Sequence, residues 1–142
     1  VHMLVDIVAK GGNLLLNIAP SPEGTWDDGA YEMLRGVGEW MSVNSHAIYD
    51  TRALEPYKNE NICLTQNENS VFLIYLMEED EALPEKIETE IYIPGKEAKI
   101  SVAGMDTRIR WSEKDGKLVI NVPKGVIRNT KNTPAVVFQI SK

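Results

Sequence analysis

The first fifty residues carry a helical rhythm that is interrupted once. Leu4, Ile7 and Val8 recur at three- and four-residue steps, and Lys10-Gly11 closes the pattern with a cation followed by a glycine, so residues 1–9 are predicted helical. Asn13 to Ile18 is then a near-continuous apolar run. Such a run fits a strand buried on both faces, as in a parallel sheet flanked by helices. Pro20, Pro22 and Gly24 break structure, and Asp27 or Asp28 offers an N-cap for a second helix. Ala30, Met33, Leu34, Val37, Trp40 and Met41 line one face of that helix to about Asn44. Helix, strand, loop, helix is the order of an α/β unit. A doubly buried strand needs cover on both faces and little precedes this one, so residues 1–50 read as the tail of something larger.

After Asp50 the rhythm shortens. Alternating runs predict strands near 62–66, 71–77, 87–93, 98–103, 108–112, 117–122 and 135–141. Asn67-Glu68-Asn69, Pro94-Gly95, Gly104, Asp115-Gly116 and Asn132-Thr133-Pro134 supply the turns, and Asp115-Gly116 is a strong hairpin signal. About seven short strands with no convincing helix predict a mainly β chain, an antiparallel β-sandwich or barrel. Glu78 to Glu81 is an acidic run, read as a solvated loop with a calcium site as the alternative.

Charge sharpens the division at residue 50. Residues 1–50 hold two basic and seven acidic side chains, and residues 51–142 hold thirteen and fourteen, within a net charge of -6. That balance argues against nucleic acid or an anionic membrane as partner. No apolar run approaches the roughly 20 residues that span a bilayer, and no leader peptide is visible at Val1 to Ala9. The lone Cys63 falls in a predicted strand and reads as a small buried hydrophobe.

The chemistry-bearing residues are sparse. His2 and His46 are the two histidines, so neither a Ser-His-Asp triad nor a histidine zinc site has the spacing it needs. Gly11-Gly12-Asn13 precedes the apolar run, whereas a phosphate loop needs its glycines between a strand and a helix. No metal or cofactor is therefore implied. Glycoside hydrolysis needs two carboxyls held about 5–9.5 Å apart, and nothing in the spacing fixes such a pair. Trp40 reads as helix core. Trp111 reads as sandwich core, with sugar stacking as the alternative. Trp26 sits in the loop after the apolar run, where α/β folds place ligands, and a structural cap and a substrate contact both fit.

The stretch Val5-Asp6-Ile7-Val8-Ala9-Lys10-Gly11-Gly12-Asn13-Leu14-Leu15-Leu16-Asn17-Ile18-Ala19-Pro20, followed by Glu23-Gly24-Thr25, closely resembles the end of the catalytic barrel in α-L-fucosidases of glycoside hydrolase family 29. The likeness continues through Gly38-Glu39-Trp40-Met41-Ser42-Val43-Asn44 and Ala47-Ile48-Tyr49-Asp50-Thr51-Arg52, with Ser45-His46 where the family often has Gly-Glu. It implies that residues 1–50 are the terminal α/β segment of a (β/α) barrel, a helix-strand-helix remnant. It also implies that residues 51–142 are a carboxyl-terminal β-sandwich.

The resemblance further implies a retaining exo-hydrolase that releases terminal α-L-fucose from glycans through an aspartate nucleophile and a separate acid/base residue. Those groups lie on earlier barrel strands in the family, so no catalytic residue is carried over. The loop Pro20 to Trp26 would sit at the barrel's catalytic face, which makes Glu23 and Trp26 the substrate-adjacent candidates. A secreted, periplasmic or lysosomal setting would suit such an enzyme, and the sequence selects none of them.

Three roles follow from these readings. The chain is a piece of a fucosidase that is inactive alone, or its β-region is an autonomous carbohydrate-binding module, or the sandwich braces the barrel. A binding module would need exposed aromatics from among Tyr57, Phe72, Tyr75, Tyr92, Trp111 and Phe138. Leu14 to Ile18 and the 30–41 helix face would be bare without a barrel. The segment is therefore expected to pack on the sandwich, swap between chains or self-associate.

Overall fold

The computed structural model describes all of residues 1–142. An amino-terminal helical segment comprises α1 (His2–Ala9), α2 (Asp28–Asn44) and a 3-10 turn (Ser45–Ala47). Eight strands follow: β1 (Arg52–Asn59), β2 (Ile62–Gln66), β3 (Ser70–Leu76), β4 (Lys86–Thr89), β5 (Ile100–Val102), β6 (Met105–Lys114), β7 (Lys117–Asn121) and β8 (Ala135–Ser141). A short α3 (Lys124–Asn129) precedes β8. All pairings are antiparallel, and one curled sheet runs in the order β1-β2-β3-β8-β5-β6-β7-β4.

Strand alternation divides the core into two. Val71, Leu73 and Tyr75 of β3, with Val136, Phe138 and Ile140 of β8, face Ile87, Ile109, Leu118 and Ile120 across the curl of the sheet. The side chains between them, Phe72, Ile74 and Leu76 with Ala135 and Val137, face the opposite way and meet Val5, Ala9, Trp40, Ala47 and Ile48. β3 is thus buried along its whole length on both faces, which is why Val71 to Leu76 is a continuous apolar run.

Polar groups fix the helices against that second face. The Trp40 indole N–H donates to the Ala135 carbonyl at 2.9 Å, and the Thr65 hydroxyl donates to the Ala47 carbonyl at 2.7 Å. The His46 and Phe72 rings meet edge to face, with centroids 5.4 Å apart. Lys58 and Lys10 both reach the Asp6 carboxylate, at 3.0 and 2.6 Å, and so tie α1 to β1. Their hydrogen bonds hold the Asp6 carboxyl below its ordinary range. At the end of α2, the β5–β6 turn approaches so closely that a Cβ on Gly104 would lie 2.5 Å from a Val43 methyl.

The expected fold class holds, with three differences. The apolar run Asn13 to Ile18 forms no strand: it is irregular, with Leu15 82% and Leu16 47% exposed. A strand needs a neighbour for its N–H and C=O groups, and no segment of this chain lies beside it as one. The doubly buried strand is β3 instead. Secondly, the seven expected strands are joined by an eighth, β1, which carries Pro56 inside a register shift between Ala53 and Lys58 on the sheet edge. Thirdly, α3 fills the gap between β7 and β8, its Val126 buried in the inner core. Of the segment expected to pack on the sandwich, Leu14 to Ile18 and the 30–41 helix face, Trp40 alone is buried, and α1 and the 3-10 turn supply the rest of the cover. Met33 and Tyr31 of α2 stay exposed.

Candidate functional site

The two substrate-adjacent candidates lie in one short loop, Pro20 to Asp27. Ser21 receives a backbone bond from Gly24 at 2.9 Å and donates one to Thr25 at 2.7 Å, and the two hydroxyls of Ser21 and Thr25 lie 3.1 Å apart. Gly24 takes φ +81, a conformation open to glycine at little cost, and so closes the turn. Asp27 caps α2 by accepting from the Ala30 amide at 2.7 Å. The loop thus holds its own shape as it enters the helix.

Within it Glu23 is exposed, and none of the chain's four ion pairs engages it. Trp26 is 39% exposed, and its ring leans on Tyr31 with centroids 5.6 Å apart and planes tilted by 53°. This makes an aromatic pair at the surface with two carboxylates in the same loop, Glu23 and the helix-capping Asp27. Such a pair can stack on an apolar sugar face, and a carboxylate can accept sugar hydroxyls. The second carboxyl, Asp27, is engaged in capping α2, so the loop presents one uncommitted carboxylate, whereas glycoside hydrolysis uses two.

Two further concavities frame the sandwich. One, of about 590 Å³, runs beneath α2 between Val37, Trp40 and Val43 on one side and Ala103, Gly104 and Pro134 on the other. Its lining is largely apolar and holds one carboxylate, Glu39. The other, of about 1130 Å³, is an open cleft between residues 94–99 and the distal half of β6, and Trp111 lines it. The Trp111 ring is half-buried against the inner core, and its N–H donates to the Ala98 carbonyl at 3.0 Å. Phe72, Tyr75 and Phe138 are buried, which removes them from any binding surface.

The remaining candidates resolve simply. Cys63 is fully buried, and burial pushes its thiol pKa up. The acidic loop is an exposed turn in which the Glu78 amide donates to the Glu81 carboxylate at 3.1 Å. No three His, Cys, Asp or Glu side chains converge as metal ligands, and no helix is long and apolar enough to cross a membrane.

Similarity to known proteins gives this arrangement a context. The family model described as Alpha-L-fucosidase matches residues 1–46. Human tissue alpha-L-fucosidase is 30% identical over 125 residues, covering 85% of this chain and 26% of the human protein. The α-fucosidase of Thermotoga maritima, solved in complex with a mechanism-based inhibitor, superposes with a TM-score of 0.83 at 31% identity, covering 99% of this chain and 33% of that one. The chain therefore spans about a quarter of the human relative and a third of the bacterial one. From the helical segment through the last strand of the sheet, this chain is thus similar to a part of α-L-fucosidases.

Proposed function

We propose that the chain is the carboxyl-terminal portion of an α-L-fucosidase, a retaining exo-glycosidase that releases terminal α-L-fucose from fucosylated glycans. In this reading residues 1–50 are the closing α/β segment of the catalytic barrel, and residues 51–142 are a β-sandwich that braces it. The nucleophile and the acid/base residue belong to other strands, so the 142-residue chain is inactive alone.

One observation carries the reading: α-L-fucosidases resemble this chain over nearly its whole length, yet the chain makes up only a quarter to a third of theirs. The run Leu14 to Ile18, exposed at Leu15 to Asn17, supports it, because an apolar segment without a hydrogen-bonding neighbour is suited to pairing inside a larger sheet. The Trp26–Tyr31 pair and Glu23 would then stand near the mouth of the barrel as substrate contacts rather than as the reacting groups.

Hydrolysis of an aryl α-L-fucoside tests this. The purified chain should release no phenol above the blank, and the longer protein that carries it should turn the substrate over. Turnover by the 142-residue chain would overturn the structural role, and an inactive longer protein would overturn the fucosidase reading.

A further inference from the structure

The cleft beside Trp111 has features that bracing does not call for. β5 ends opposite Ile109, at the pair Ile100 and Ile109, whereas β6 runs on to Lys114. Beyond Ile109, β6 is paired with β7 alone, and residues 94–99 cross on the other side. The hairpin fixes which backbone groups are left over. Asp115 and Gly116 form its two-residue turn with φ +54 and +76, so Lys114 and Lys117 are a hydrogen-bonded pair. Alternation then directs Ser112 and Arg110 to β7 as well, and turns the N–H and C=O of Trp111 and Glu113 toward the cleft. Neither amide bonds a carbonyl of the crossing residues.

The side chains match that backbone. The indole is held by its bond to Ala98 and by the inner core beneath it, so it needs no further ordering on binding. Arg110, Glu97 and Glu113 also line the cleft, and none takes part in an ion pair. Charges of both signs suit a neutral ligand whose groups both donate and accept. A phosphate polymer would meet the carboxylates. A peptide strand would find the ladder groups of two residues, Trp111 and Glu113 about 7 Å apart, on an edge that residues 94–99 already cross. A sugar offers a C–H face for the ring and hydroxyls for the backbone and charged groups.

The geometry points to a glycan-binding groove formed by Trp111, Glu113 and Arg110 of β6 with Glu97 and Ala98. The choice of a fucosylated glycan as its ligand rests on the fucosidase reading, whereas the groove itself does not.

The test is a ¹⁵N amide titration of the chain with fucosylated lactose and, separately, lactose. Shifts should concentrate at residues 94–99 and 109–113, with a Kd of about 1 mM or tighter for at least the fucosylated sugar. The double variant Arg110→Ala/Glu113→Ala changes exposed side chains and should keep the native spectrum while weakening binding at least about fivefold. Trp111→Phe keeps an aromatic against the core and should weaken it similarly through the smaller stacking face. No shifts at about tenfold above that Kd, shifts confined elsewhere, or unchanged affinity in the double variant would each overturn the groove. Fucoside hydrolysis by the longer protein is read in parallel. Hydrolysis without groove binding removes the groove alone, and groove binding without hydrolysis removes the fucosidase reading alone.

Discussion

Replacing Trp40 with alanine tests whether the helical segment is a structural part of this chain. Trp40 is 5% exposed, sits among Val137, Ala135 and Leu76, and donates its indole N–H to the Ala135 carbonyl. Truncating a buried tryptophan costs about 3–5 kcal/mol, through lost transfer energy and the cavity left behind. The lost indole bond, about 1 kcal/mol net, argues for the upper part of that range. A domain of this size holds about 5–15 kcal/mol in all, so the variant should lose a large share of its stability. In urea, with a slope of about 2 kcal/mol per molar, the midpoint should fall by about 2 M. Trp40→Phe keeps most of the apolar contact and should lose about 1–2 kcal/mol. Leu15→Ala is the internal control: Leu15 is 82% exposed, so the change should stay within about 0.5 kcal/mol. A Trp40→Ala loss under about 1 kcal/mol, or a Leu15→Ala loss above about 2 kcal/mol, would refute the packing described for α2 and for residues 13–18.

Other outcomes follow from the same contacts. Gly104→Ala must place a Cβ at φ +72 and against Val43, so it should cost about 1–3 kcal/mol, and Val43→Ala in the same chain should restore part of it in a double-mutant cycle. The Asp6 carboxyl is held below its ordinary pKa of 3.8 by Lys10 and Lys58. Its contribution is therefore present above about pH 4 and lost as pH falls through the lowered value; for so exposed a group it is under about 1 kcal/mol, and Asp6→Asn should flatten that part of the acid-stability curve. Cys63 should react with an aromatic disulfide reagent only as fast as the chain opens, because burial both covers the thiol and raises its pKa. Rapid labelling of the native chain would contradict its place under α1 and the 3-10 turn.

Local pattern was enough to read most of the elements, and the failures have physical causes. Lys10-Gly11, Asp27 and Asp115-Gly116 are short-range signals, and the boundaries they mark are those observed for α1, α2 and the β6–β7 hairpin. β1 was illegible because Pro56 removes a donor and its pairing skips from Ala53 to Lys58, so alternation is broken inside the strand. α3 has six residues, fewer than two turns, too short for a 3.6-residue period to declare itself. Leu14 to Ile18 failed in the opposite sense. Its apolar pattern fits a buried strand, but a strand is completed by its neighbours, and here it has none. The same limit governs the sites. Resemblance and loop position single out Glu23 and Trp26. Trp111 was visible as a residue, but its cleft depends on β5 stopping short of β6, which no local pattern records.

The proposal that this chain belongs to a retaining fucosidase, and contributes none of its reacting carboxyls, has one direct test. A mechanism-based fucosyl inhibitor that leaves the sugar on the nucleophile reads this directly by mass spectrometry. The longer protein should gain one adduct on a peptide outside residues 1–142, and the 142-residue chain should gain none. An adduct on Glu23, or on any other carboxylate of this chain, would contradict the account.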